Sequence, residues 1–286
     1  MFSSDDYPAT YQAASTLSAS SQKAYFRSLI GHLVLLVFAA ILSMCESSKE
    51  VSTLQALVLL GALAFALHLY LVRPEKKWYS ARAIAESIKT LTWRYITRSE
   101  PFNHSDEEDR KQLTLKLQSV LDQNLAIAGL LTTHLSGVQI TNKMALIRSS
   151  STTDRLDFYL KNRVIDQQNW YAGKASKSKS DADTYYKILI GTISLAILCS
   201  VLKIAFLNLI LPVDVLIAVA AGLLAWIQAK RYQELSASYA LAAHEIGFIR
   251  EQVNNVASDN GLSDFVGDAE NAFSREHTQW VARKDH

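Results

Sequence analysis

Six residues, Arg155, Tyr159, Arg163, Asp166, Trp170 and Lys174, follow one another at steps of four, four, three, four and four. On an α-helix those steps keep the side chains on one face. Arginine supplies a planar fork of donors, indole a face for a cation, and a carboxylate between them balances charge. Arg163 can pair with Asp166 or Gln167, and Lys174 can sit over Trp170. Two kinds of chemistry fit this stripe. One is a structural set of ion pairs and cation–π contacts against neighbouring helices. The other is a ligand or interaction face for an anion such as a nucleotide. A second polar set, Thr192, Ser194, Lys203, Asn208 and Asp214, lies in or beside long apolar stretches. Polar and ionisable groups at membrane depth line ion pathways, or they cap helices and snorkel at their ends. These five are the pore or selectivity candidates. Enzyme chemistry finds no foothold. There is no Walker-type loop, Gly-rich dinucleotide turn, zinc-ligand spacing or Ser-His-Asp set. The expectation is a protein that is not an enzyme and uses no cofactor or metal.

The elements that must carry these residues are read from hydropathy. Apolar residues crowd into Leu29–Val72 and Ile188–Ile227 of the 286-residue chain. A spanning helix needs roughly 20 mostly apolar residues. Leu29–Cys45, Thr53–Val72, Tyr186–Phe206 and Leu211–Gln228 meet that need. Lysine and arginine set the orientation. The first inter-helix loop carries only Lys49 and the second carries none, whereas 73–183 carries eighteen. Both termini and the central segment are therefore expected in the cytoplasm, with two short hairpin loops outside. Tyr25, Trp78, Tyr79, Tyr185, Tyr186, Trp226 and Tyr232 fall at the expected cytoplasmic boundary, where amphipathic rings belong. With 29 Lys+Arg against 27 Asp+Glu, the chain lacks the basic excess of a nucleic-acid binder.

The chain also repeats itself. Tyr11–Gly31 aligns without gaps on Tyr171–Gly191 at an offset of 160, with Tyr11/Tyr171, Ser18/Ser178, Ser20/Ser180, Tyr25/Tyr185, Leu29/Leu189, Ile30/Ile190 and Gly31/Gly191 identical. After each hairpin the offset is 154, which brings Lys77-Trp78 onto Arg231-Tyr232. Beyond the second hairpin, Tyr232, Leu235, Tyr239, Ala242, Ile246, Ile249, Val253 and Val256 alternate spacings of three and four, a heptad seam read as coiled-coil oligomerisation surface. Trp78–Tyr95 holds a weaker version. Between the modules, Ser105 and Glu108 make a capping box. Leu113, Leu117, Val120, Leu121, Leu125 and Ala128 follow as one apolar face, predicting a helix that ends near Gly137. Ser149–Thr153 reads as a loop, with Thr153 capping a helix that runs into the third span.

At this stretch the sequence resembles the SLATT superfamily, the SMODS- and SLOG-associating two-transmembrane effectors. Thr141, Met144, Arg148, Arg155, Tyr159, Arg163, Asp166, Gln167, Trp170, Tyr171, Lys174 and Ala175 look like the signature that precedes its membrane hairpin. Tyr7-Pro8-Ala9, Tyr11, Ala83, Ala85 and Glu86 look like a second subgroup. The resemblance covers nearly the whole chain as a fusion of two modules. It implies a prokaryotic membrane protein and a pore-forming effector in conflict systems that sense nucleotide signals.

Together these readings predict an all-α integral membrane protein with four transmembrane helices in two tandem hairpins and a helical cytoplasmic bundle. Its parts are a first two-transmembrane module at 1–100, a helical connector at 101–150, a second module at 151–260 and a C-terminal tail at 261–286. The expected function is a homo-oligomeric ion channel or pore in the inner (plasma) membrane, with a cation preference. The competing expectation is a non-conducting, membrane-anchored scaffold or sensor. Expected partners are the lipid bilayer, further copies of the chain, and a nucleotide signal or ion as ligand, with no nucleic acid.

Overall fold

A computed structural model of the chain describes residues 2–206 and 209–282. Every regular element among them is a helix. The order is α1 (Ala9–Leu42), α2 (Lys49–Val72), α3 (Pro74–Ile96), α4 (Asp106–Asp122), α5 (Leu125–Ala128), α6 (Asn142–Arg148), α7 (Thr152–Tyr159), α8 (Ile165–Ala205), α9 (Val213–Lys230), α10 (Tyr232–Glu251) and α11 (Asp259–Ala282). Four helical runs are long and apolar enough to cross a membrane, and each coincides with most of one expected span; 43–45, Phe206 and 211–212 fall outside them. The protein is an all-α membrane protein.

The chain divides into two compact units. One holds residues 1–22, 75–174 and 238–286; the other holds 23–74 and 175–237. The second unit contains the spans. Its first hairpin is tightly packed. A Cβ on Gly31 would lie 2.7 Å from the Phe65 ring, so a larger residue there would have to push that ring aside. The His32 ring bonds the Ala62 carbonyl at 2.9 Å, and the Gln55 amide donates to the Ala39 carbonyl at 3.1 Å. Each such bond satisfies a polar side chain that lipid would leave unpaired. The second hairpin, α8 with α9, is looser. Gly191, the repeat partner of Gly31, would meet nothing within 4 Å, and an apolar groove of about 530 Å³ runs past Leu189, Ile193, Ala196, Ile217 and Leu224. Elsewhere in this unit, Phe26 meets Trp226, Lys230 lies 3.6 Å from the Phe26 centroid, and Tyr185 stacks on Tyr232.

Both α2 and α9 end on an arginine in the left-handed region, Arg73 (φ 47°) and Arg231 (φ 50°), and the next helix starts at once. These breaks lie 158 residues apart, one helical turn beyond the 154 offset that pairs Trp78 with Tyr232.

The other unit is a helical bundle around Trp93, Tyr95, Phe102, Leu113, Met144, Tyr159, Ile246 and Leu262. The Ser105 side chain caps α4 by accepting from the Glu108 N–H. That helix stops at Asp122, well short of Gly137, because the Asn124 side chain bonds back to the Val120 carbonyl and the following Leu125 faces out. Ser151, not Thr153, caps α7. A single π-turn, Leu160–Val164, joins α7 to α8 in one helical run from Thr152 to Ala205.

Most of the region expected to be a C-terminal tail, 261–286, lies in the helix α11, described through Ala282. Leu262, Phe265, Val266, Ala269, Ala272 and Phe273 form its buried face. Spacings of three and four among smaller and interrupted apolar residues hid that face behind flanking charges.

Candidate functional site

The stripe from Arg155 to Lys174 divides at the π-turn. Its first three residues face inward and are almost wholly buried. Arg155 donates from Nη1 to the Thr97 carbonyl (2.7 Å), from Nε to the Ser150 carbonyl (3.2 Å) and from Nη2 to Asp259 (2.8 Å). Thr152 donates to the same carboxylate. The Thr152 hydrogen bond holds the Asp259 carboxyl below its usual range; partial burial opposes this and the Arg155 charge assists.

Arg163 makes a two-pronged pair with Glu270 of α11, Nε to Oε1 and Nη2 to Oε2, both 2.8 Å. Neither side chain exceeds 2% exposure. Tyr159 donates to Oε1 at 3.0 Å and Thr90 of α3 to Oε2 at 2.8 Å. Four donors thus saturate one buried carboxylate, the condition under which a buried charge is tolerated. Burial alone would lower the Arg163 pKa; the Glu270 charge and its hydrogen bonds raise it instead, so the guanidinium stays charged. Burial, reinforced by the Glu270 charge, pushes Tyr159 well above the usual phenol range and keeps its hydroxyl a donor. Trp93 donates to the Tyr7 hydroxyl at 2.9 Å, and burial raises that phenol too.

A third arginine of the signature, Arg148, anchors the end of α6. Its guanidinium donates to the carbonyls of Tyr95 (2.6 Å) and Phe102 (3.1 Å), to Asp106 (2.9 Å) and to Asp109 (2.5 Å). It also lies over the Tyr95 ring, 4.6 Å from the centroid. The first-half residues are therefore clamps that close the bundle.

The rest of the stripe faces outward. Asp166 and Lys174 are exposed, and Trp170 is 39% exposed. Asp166 is not the partner of Arg163; Glu270 of α11 takes that place, and Asp166 is exposed. Lys174 does lie over Trp170, 5.5 Å from its centroid.

On α10, Tyr232, Tyr239, Ala242 and Ile246 of the heptad seam are buried within the chain. Tyr239 packs on Trp170 and Tyr171, and the Ser236 hydroxyl donates to the Ala175 carbonyl. Leu235, Ile249, Val253 and Val256 are half-buried. Part of the seam thus packs on α8 within the chain. The large apolar residues that α10 exposes are Leu241 and Phe248.

Of the pore candidates, Asn208 lies outside the described residues. Thr192 donates to the Ile188 carbonyl one turn back and is half-buried. Ser194 and Lys203 are exposed on α8. Asp214 is exposed in the first turn of α9, just after Pro212. Among the described residues no ion pair joins Lys203 to Asp214, and no group of three His, Cys, Asp or Glu could hold a metal.

A polar pocket of about 170 Å³ opens beside the Arg163–Glu270 pair. Arg82, Glu86 and Lys89 line it from one face of α3, Arg163, Gln167, Trp170 and Tyr171 from the α8 side, and Phe273 from α11. The sequence reading passed over Glu270, Asp109, Asp259, Arg82 and Lys89. Glu270 carried the clearest signal, since it stands among Val266, Ala269 and Phe273 on an otherwise apolar face, where an acid requires a cation.

Comparison with known families gives two matches. The family described as SMODS and SLOG-associating 2TM effector domain 3 matches residues 8–156, and SMODS and SLOG-associating 2TM effector domain 1 matches residues 159–280. The seam between the matches falls inside the helical run that starts at Thr152. No curated protein and no solved structure matches the chain.

Proposed function

This chain belongs to the SMODS and SLOG-associating 2TM effector (SLATT) family, with one domain of each of two classes in tandem, and from that premise we propose that it is a homo-oligomeric, cation-preferring membrane pore. The role is non-catalytic, and its setting is a prokaryotic conflict system. The observation that carries the reading is Asp214, an exposed carboxylate in the first turn of an otherwise uncharged span until Lys230. Its place suits the positive end of the α9 dipole. Rings of Asp or Glu concentrate cations at a pore mouth. Within one chain, Thr192, Ser200 and His32 bond backbone carbonyls of their own hairpins. A polar path therefore requires several copies, with Asp214, Lys203 and Ser194 turned toward a common axis. Reconstituted in planar bilayers under a salt gradient, the protein is expected to give a reversal potential favouring cations. Asp214→Asn is expected to lower the cation-to-anion permeability ratio. Absence of current from the pure protein at any voltage would overturn the pore and favour the non-conducting sensor, a reading supported by the polar pocket beside Arg163.

The orientation belongs to the same proposal. Eighteen Lys and Arg in 73–183 support a cytoplasmic placement of that segment and of both termini in the inner membrane. With Cys45 and Cys199 replaced, single cysteines at Ser47, Ser119 and Ser258 report it. Only position 47 is expected to react with an impermeant thiol reagent in intact cells with an opened outer layer. Reaction at 119 would reverse the orientation.

A further inference from the structure

We propose that the pocket between α3 and α8 is a binding site for a small phosphate-bearing anion. The inference does not rest on the pore. It starts from one atom: Nη1 of Arg163 has no hydrogen-bond partner among the described residues, although the side chain is 2% exposed and lines the pocket. Nε and Nη2 of the same guanidinium are held by Glu270. A buried donor left unmade is expensive, and a ligand oxygen would satisfy it.

The charge around that atom suits an anion. Arg82, Lys89 and Arg163 face Glu86 in the lining and Glu270 behind it, a net excess of one positive charge. Lys89 is held loosely by Glu86, at 3.6 Å, with its side chain 16% exposed. Burial lowers the Lys89 pKa, and the Arg163 and Arg82 charges add to this, while Glu86 and Glu270 oppose it. An incoming anion would relieve that repulsion.

The lining suits a phosphoryl group. One edge of the Arg163 guanidinium, Nε with Nη2, is taken by Glu270, which leaves Nη1 to an incoming oxygen. Beside Arg163 Nη1, the lining carries the Lys89 ammonium and the Gln167 amide, from two helical runs, and the Arg82 side chain adds positive charge. A tetrahedral phosphoryl group can accept from several directions at once. The volume is roughly ten times what one water occupies by the same measure, which admits a phosphate and a small attached group. Trp170, partly exposed at the rim, offers a face on which a planar substituent can stack.

The test uses the full chain in dodecyl maltoside and a phosphate-free buffer, followed by titration calorimetry. Inorganic phosphate, adenosine 5′-monophosphate and dihexanoyl phosphatidic acid are the three probes. Saturable heat with phosphate is expected, tighter with the monophosphate. Binding of the short-chain lipid alone would assign the same phosphoryl chemistry to a lipid headgroup. Lys89→Met and, independently, Gln167→Leu are each expected to weaken binding at least tenfold. Lys111→Met, on the exposed surface of α4, is expected to leave it unchanged. Gln167→Leu removes no charge, so it reports binding even where Lys89→Met fails to fold. Phosphate should also raise the melting temperature of the wild type and not of Gln167→Leu. No heat with any probe, or equal affinity in wild type and both pocket variants, would overturn the site.

Discussion

Replacing Arg163 by Met is expected to destabilise the bundle by about 3–5 kcal/mol, because it strands the buried Glu270 carboxylate. Whole domains are stable by only about 5–15 kcal/mol, so the variant should melt far below wild type or fail to accumulate. Tyr159 and Thr90 would still donate to Glu270, yet two neutral donors cannot balance a full charge at this depth. Glu270→Gln is expected to be damaging in the opposite sense, leaving the Arg163 guanidinium charged and without its counter-ion. The double variant Arg163→Met with Glu270→Met removes both charges and should recover much of the loss. Thermal melts of wild type, Arg163→Met, Glu270→Met and the double variant in detergent, followed by circular dichroism, give the coupling directly. Single variants that melt with the wild type would show that the pair holds nothing.

Arg148→Met is expected to be of similar size, about 3–5 kcal/mol, for a different reason. This guanidinium closes two backbone carbonyls and two carboxylates at once, and Asp109 is wholly buried. Arg148→Lys should fall well below wild type as well, since an ammonium is a point charge that cannot reach four acceptors lying in the plane of a fork. Acid adds a second readout. Partial desolvation would raise the Asp106 pKa, but the Arg148 hydrogen bond and charge, with Arg98, hold it below the ordinary carboxylate value. A carboxyl lowered in the folded state stabilises above its unfolded pKa of 3.8 and loses that contribution as pH falls through the lowered value. The wild type should therefore soften below pH 4 more steeply than Arg148→Met. Parallel acid profiles would remove Arg148 as the cause.

The spans were legible in the sequence because the bilayer imposes a simple rule, a run of about 20 apolar residues, and nothing local competes with it. Arg155, Tyr159 and Arg163 were legible as a set because helix periodicity keeps them on one face. Their partners were not. Glu270, Asp259 and Thr97 lie 107, 104 and 58 residues away from the arginines that hold them, and no local pattern announces a contact at such range. The π-turn was invisible for a related reason. Leu160–Val164 has no composition that marks it. The heptad seam on α10 was read correctly as apolar, while its partner, the α8 face at Trp170 and Tyr171, was not.

The clamp on Glu270 also sets the timing of the chain's own biogenesis. Its partners are Thr90, Tyr159 and Arg163, so the last group needed to complete the cluster is translated 107 residues after Arg163. At about 5–20 residues per second, Arg163 waits roughly 5–20 s for its counter-ion. During that interval the third and fourth spans emerge and must be inserted while the bundle is still open. A nascent chain stalled before α11 would present an unpaired guanidinium and the apolar surfaces of α3 and α7 to the quality-control machinery. The Glu270 cluster is therefore completed only on chains whose four spans have already been translated.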